Sequence, residues 1–313
     1  MLNKNFARRP FSLIDVRNNQ IIYRKATKVI LVPSFVFFLI ICVSSSSIPI
    51  AYGQKAVILN FDDDWKGQFT HAAPILEKYG FNATYFVTTG CLTYQNSSFC
   101  NNAGGESAMT WEDIKLLAEM GHDIQSHGVS HKDLTTVSVA DLENEVGGSK
   151  QSLLEHGYNS TIFSSPYASG EGNSTITDVI AKYYEIGRRG YAPLVYLDST
   201  DRYSLPVWVD YDLQAMYRDN STMIFNAFVE AINSQTQYNT NGTINAIPII
   251  VYHNVDYKNS TNSSNVSPEW LDSTIDVNLF EQEMKYLYDN GFQVLTMSDL
   301  GYNQTSSSLY IKK

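Results

Sequence analysis

Between Lys55 and Leu300, short apolar runs alternate with stretches patterned for helix, and this alternation restricts the fold more than any other feature. Residues 55–61 (KAVILNF) are apolar almost throughout, the mark of a strand covered on both faces. The helix-patterned stretch 69–79 follows and stops at Gly80, a residue suited to the positive φ of a helix terminus. Further strands are expected at 83–87, 122–127, 161–164, 191–197, 247–253 and 292–295. Between them, Thr110 with Asp113 forms a capping-box start for a helix ending at Gly121, and Ser138 opens a helix to Leu154. Helical patterns recur at 174–185, 222–232 and 278–289. Strands separated by helices pair in parallel through right-handed crossovers. The pattern predicts an α/β chain, with its strands in a closed or nearly closed barrel rather than a small open sheet.

The first part of the chain reads differently. Arg8, Arg9, Arg17, Arg24, Lys25 and Lys28 precede an apolar run at 29–43. A basic flank before an apolar segment is the pattern of a secretory signal or a signal anchor. Ala51-Tyr52-Gly53 offers small residues for cleavage, while 29–52 is long enough to span a bilayer. The expected division is a basic region (1–28), a signal peptide or signal-anchor transmembrane segment (29–53), and one catalytic domain (54–313). The expected location is extracytoplasmic, either secreted or held at the cell surface through the uncleaved segment. Export agrees with a disulfide between Cys91 and Cys100, which lie in a polar loop. It also agrees with the many Asn-x-Ser/Thr sequons of a glycoprotein, among them the cluster Asn259, Asn262 and Asn265. The formal net charge of -10 excludes nucleic acid as the partner, because phosphates call for clustered Lys and Arg.

In a parallel barrel the active site lies at the C-terminal ends of the strands. Here those ends carry Asp62-Asp63-Asp64, then Ser126-His127-Gly128-Val129-Ser130-His131, then Ser164-Ser165-Pro166-Tyr167, and finally His253. His127 and His131 sit four residues apart just past a strand and can turn toward one point. One carboxylate from the Asp62-Asp63 pair completes a set of two imidazoles and one carboxylate, which leaves positions for water and substrate on a divalent metal. The metal also answers an electrostatic need, since adjacent carboxylates resist joint ionisation. Trp65, Trp111, Trp208 and Trp270 are candidate sugar platforms, with Trp65 foremost because it follows the Asp run.

FDDDW, GHDIQSHGVSH, SPYASG and IPIIVYHNV, in that order, resemble the successive motifs of the NodB-homology polysaccharide deacetylases, carbohydrate esterase family 4. The likeness runs from about Lys55 to Leu300. It implies a distorted (β/α) barrel of about seven parallel strands. The implied activity is metal-dependent removal of N-acetyl groups from amino-sugar polysaccharides by metal-activated water. Position by position, it implies that Asp62 is the catalytic base and that Asp63, His127 and His131 hold the metal, with zinc expected and Co2+, Mn2+ or Ni2+ as alternatives. Tyr167 matches the residue whose backbone N–H lines the oxyanion hole, and His253 the late histidine that acts as general acid. The implied partner is an N-acetylated polysaccharide or oligosaccharide.

Three positions depart from the family pattern. Asp64 stands where Gly is usual and adds charge at the rim of the site; Gly128 replaces a Ser or Thr. Ser164 replaces the Arg that orients the base, and Arg188 or Arg189 is a candidate to supply that charge. O-acetyl esterase activity on acetylated glycans and a non-catalytic surface glycan-binding protein are the two alternative functions.

Overall fold

The computed structural model describes residues 55–93, 108–217, 220–258 and 268–312. The basic region and apolar segment, Cys100, the 259–265 sequon cluster and the side chain of Trp270 lie outside the described residues. Among the described residues no helix is long and apolar enough to cross a membrane.

Seven strands form a closed parallel ring: β1 (Ala56–Asp62), β2 (Thr84–Val87), β3 (Asp123–Ser126), β4 (Ile162–Ser164), β5 (Ile186–Tyr191), β6 (Leu205–Val209) and β7 (Ile249–Tyr252), which returns to β1. An eighth strand, β8 (Gln293–Leu295), introduces the distortion. One edge of β1 pairs with β7 along 58–61. The other edge is divided, with β8 on residues 56–58 and β2 on residues 60–62. The barrel predicted from the alternation is therefore present, and β1, which pairs with three strands, is buried at every position.

Two stretches differ from the sequence reading. The expected barrel strand at 191–197 is replaced by a two-residue strand, Val195–Tyr196, paired antiparallel with Ala246–Ile247 outside the ring. The barrel positions there belong to β5 and β6. β5 reads IGRRGY, and its two arginines interrupt the apolar signal although both are buried.

Side chains alternate across each strand. Ala56 and Ile58 of β1 pack inside the ring with Phe86, Ile162, Ile186, Leu205, Val207, Ile249 and Val251. Val57, Leu59 and Phe61 face outward against Tyr85, Tyr252, Phe280 and Met284. Fully burying each such aliphatic or aromatic side chain contributes about 1.5–3 kcal/mol. The outer layer includes α1 (Ala73–Tyr79), α2 (Trp111–Glu119), α3 (Ser149–Glu155), α4 (Ser174–Tyr183), α5 (Ser221–Asn233) and α6 (Val277–Asp289). α2 starts with the expected capping box between Thr110 and Asp113. The helix expected from Ser138 to Leu154 is present but changes pitch through a π-helical turn, Asn144–Gly148, before α3. A second π-helical turn, Gln68–Ala72, precedes α1.

Candidate metal and catalytic site

The alternation that fills the ring with Ile and Val also determines what stands at its C-terminal mouth. Continuing the inward parity of β1 from Ile58 through Asn60 reaches Asp62. On β7 it runs from Ile249 and Val251 to His253, and on β4 from Ile162 to Ser164. Asp123 and Gln125 carry it on β3 to His127. Polar residues at these ends thus share one cavity floor because the strand period is two.

Asp63 follows β1 in a left-handed conformation (φ 74°), which swings its carboxylate toward the histidines. Its Oδ1 lies 3.2 Å from His127 Nε2 and 2.9 Å from His131 Nε2, and its Oδ2 lies 3.7 Å from His253 Nε2. Ligand atoms of Asp63, His127 and His131 all fall within 4.8 Å of one another. The His127 ring is oriented from behind: its Nδ1 sits 2.9 Å from the carbonyl of Ser164, so Nε2 is the atom turned inward. Two imidazole nitrogens and one carboxylate oxygen on a common point fit a divalent cation. Burial pushes the Asp63 carboxyl up, but the charge of His131, hydrogen bonds from both histidines and the charge of His253 prevail, and it is held well below the ordinary carboxylate range. Burial likewise pulls His131 down, yet the Asp63 charge and hydrogen bond raise it overall.

Asp62 is buried beside this trio, its Oδ2 3.9 Å from His127 Nε2. Arg188 Nη2 donates to Asp62 Oδ2 and also to Ser164 Oγ. Ser164 and Arg188 are direct neighbours across β4 and β5, so the short serine leaves the space that the guanidinium occupies. Arg188 also lies over the Phe86 ring, 4.5 Å from its centroid, and is 4% exposed. Arg189 has the opposite parity. It points outward to the carbonyls of Tyr203 and Gly170 and to Thr177 Oγ1 on α4. Of the two candidates, only Arg188 reaches Asp62. Asp62 Oδ1 is buried with no hydrogen-bond partner.

Gln68, which the sequence reading passed over, joins the ends of two strands. Its Nε2 donates to the carbonyl of Asp62 (2.5 Å) and to that of His253 (2.7 Å). Tyr167 stands at the end of β4 with φ 58°, followed by Ala168 at φ 48°; its ring centroid is 4.7 Å from that of His131 and its side chain is 61% exposed. Tyr191 Oη donates to the Tyr167 carbonyl at 3.3 Å.

Two expectations require correction. Asp64 is not a rim charge: it is 1% exposed, and its Oδ2 accepts the backbone N–H of Thr88 at the end of β2. Burial pushes its carboxyl well above the ordinary range. Trp65 is 4% exposed and so cannot offer a face to a sugar; Trp111 is instead stacked on His156 at 3.6 Å, and Trp208 packs against the outer core. His122 and Asp123 are structural. His122 Nδ1 accepts the Ala83 N–H, while Asp123 accepts from Thr84, Gln125 and Ser298.

Comparison with known proteins places part of the chain beside one family. Residues 50–184 match the model of the polysaccharide deacetylase family, a stretch that includes Asp62, Asp63, His127, His131 and Tyr167. YxkH of Bacillus subtilis (strain 168) is 29% identical over 98 residues, which are 31% of this chain and 31% of that protein. A gellan lyase from Bacillus sp is 30% identical over 138 residues, 43% of this chain and 5% of the lyase. The alignments thus span about a third or less of these two relatives. Among solved structures, the Streptococcus pyogenes deacetylase PplD in complex with acetate is 25% identical, with a TM-score of 0.43, and the match covers 49% of this chain and 64% of that one. Over residues 50–184, which carry three of its four ordered strand-end motifs, the chain is similar to the polysaccharide deacetylase family.

Proposed function

We propose that the protein is a metal-dependent hydrolase that removes N-acetyl groups from amino-sugar polysaccharides. The observation that carries this reading is the convergence of Asp63, His127 and His131 beside a second buried carboxylate, Asp62, that Arg188 holds by one oxygen. Asp63, His127 and His131 would hold a divalent cation, with zinc as the expected ion, and when bound it would polarise the acetyl carbonyl and acidify water. Each remaining role falls to a residue of this chain.

Asp62 is the general base. Arg188 occupies Oδ2, so Oδ1 is the oxygen that takes the proton of water as the water oxygen bonds to the acetyl carbon. The carbonyl π electrons move onto its oxygen, where the Tyr167 backbone N–H supplies a hydrogen bond. As the tetrahedral centre collapses, the C–N bond breaks and His253 gives a proton to the nitrogen. The products are acetate and a free amine on the sugar. Without that proton an amide nitrogen is a poor leaving group, which gives the late histidine its purpose.

Export belongs to the same proposal, with residues 29–53 as the signal or anchor and 54–313 as the catalytic domain. Each sequon asparagine among the described residues (Asn82, Asn159, Asn173, Asn220, Asn241 and Asn303) is exposed, as attachment of a glycan requires. Acetate release by the full chain from an N-acetylglucosamine oligomer and from acetylated xylan, with Asp62→Asn as control, tests the substrate. Release from the oligomer that Asp62→Asn abolishes supports the amide reading. Release from xylan alone transfers the site to ester hydrolysis, and release from neither leaves a glycan-binding protein.

A further inference from the structure

The two metal-ligand histidines are joined by Gly128-Val129-Ser130, a segment with no regular structure of its own. Gly128 (φ 87°) and His131 (φ 52°) both stand in the left-handed region, which a histidine does not favour without outside constraint. The carbonyls of the segment are held from one side: Thr89 N–H donates to Gly128 O (3.0 Å) and Gly90 N–H to Val129 O (2.9 Å). Of its amides, Gly128 N–H donates to Ser126 Oγ (3.2 Å), and the other two are held by a single side chain. Glu145 Oε2 accepts the N–H of Val129 (3.1 Å) and of Ser130 (2.8 Å), and its Oε1 accepts the Ser130 hydroxyl. Glu145 is 1% exposed, and Lys132 Nζ lies 3.8 Å from Oε1.

We propose that Glu145 is a positioning residue for the metal site, a buried carboxylate that holds the loop between His127 and His131 in the conformation that aims both Nε2 atoms at Asp63. Successive backbone N–H groups form a concavity that attracts an anion, and here the chain supplies its own. The π-helical turn Asn144–Gly148 carries Glu145, whereas a uniform α-helical pitch would rotate that position along the helix surface. The departure at Gly128 fits the same device. A Cβ at that position would lie 3.3 Å from Glu145 Oε2, tighter than most such contacts, so the hydroxyl residue usual there would crowd the carboxylate. Glu145 touches no substrate and ligates nothing; it acts through the loop.

This inference rests on the proposed metal site, and the test separates the two. Zinc affinity is measured on metal-stripped full chain by competition with a chromophoric chelator, alongside the melting temperature of the stripped protein. Glu145→Ala is expected to weaken zinc binding about 10- to 100-fold, the range for residues that orient metal ligands. Glu145→Gln, which keeps an acceptor for the two amides, falls between that variant and the native chain. Gln235→Ala is the stability control: it cuts the hydrogen bonds to Ala56 at the opposite end of β1 and should lower the melting temperature with zinc affinity unchanged. If Glu145→Ala does not fold, weaker zinc binding by Glu145→Gln carries the inference. A folded Glu145→Ala, or failing that Glu145→Gln, with native zinc affinity overturns it. A loss of affinity in Gln235→Ala equal to that in the Glu145 variants also overturns it. If the native chain binds no zinc, the metal site itself is refuted and the inference falls with it.

Discussion

Arg188 reaches across from β5 and donates one nitrogen to both Asp62 and Ser164, so the guanidinium expected at the end of β4 arrives instead from the neighbouring strand. A buried carboxylate with one oxygen so engaged is fixed in orientation, and the second oxygen is left for chemistry.

Arg188 and Arg189 should therefore separate cleanly on mutation. Arg188→Ala removes a charge-assisted hydrogen bond from the proposed base, worth about 1.5–3 kcal/mol, and should lower kcat/KM about 10- to 100-fold. Arg189→Ala cuts hydrogen bonds to two loop carbonyls and to Thr177. It should cost about 1–3 kcal/mol of stability with kcat/KM retained. Steady-state kinetics and urea unfolding of both variants check this; native kinetics in Arg188→Ala would remove it from the mechanism.

Gln68 bonds the carbonyls of Asp62 and His253, so one amide sets the spacing of the proposed base and acid. Gln68→Leu keeps the bulk and loses both bonds. The expected effect is a fall in kcat of about tenfold or more with KM little altered, because small displacements of reacting groups are costly. A KM effect with kcat preserved would mean that Gln68 serves binding rather than alignment.

His122 predicts a pH dependence of stability. Burial lowers its pKa to about 4, and its neutral Nδ1 accepts the Ala83 N–H. In the unfolded chain the ring takes a proton near pH 6.5, so between these values the unfolded state binds more protons. The stability that neutral His122 contributes is present above about pH 6.5 and is lost as pH falls toward 4, by roughly 3 kcal/mol at most. In His122→Asn this component is absent, so the difference in unfolding free energy between the two proteins should change with pH across that window. A difference independent of pH would contradict the assignment.

Much of this site was legible because its residues stand directly after apolar strands, where period-two alternation decides which side chains face inward. Asp62, His127 and His253 belong to that class, while Asp63 and His131 reach the site through left-handed backbone just beyond the strands. β5 was not legible, since Arg188 and Arg189 look like solvated charges until Asp62 and the carbonyls of Tyr203 and Gly170 are seen to pair them. Once β5 is known to start at Ile186, parity alone selects Arg188 over Arg189. Gln68 and Glu145 resemble ordinary polar helix residues in sequence. They are buried because each sits on a π-helical turn, a feature that local propensity does not announce. Asp64 and Trp65 misled for the converse reason: nearness in sequence to the carboxylate pair suggested the rim, whereas the turn after β1 folds both inward.

The central claim is that Asp63, His127 and His131 hold one divalent ion on which amide hydrolysis depends. The most direct test is to titrate zinc into the metal-stripped full chain and follow metal bound and acetate released from an N-acetylglucosamine oligomer in the same samples. Activity should rise in step with zinc to one ion per chain, and Asp63→Ala should lose both together. Undiminished acetate release from the stripped protein, or from Asp63→Ala without metal, would contradict the account.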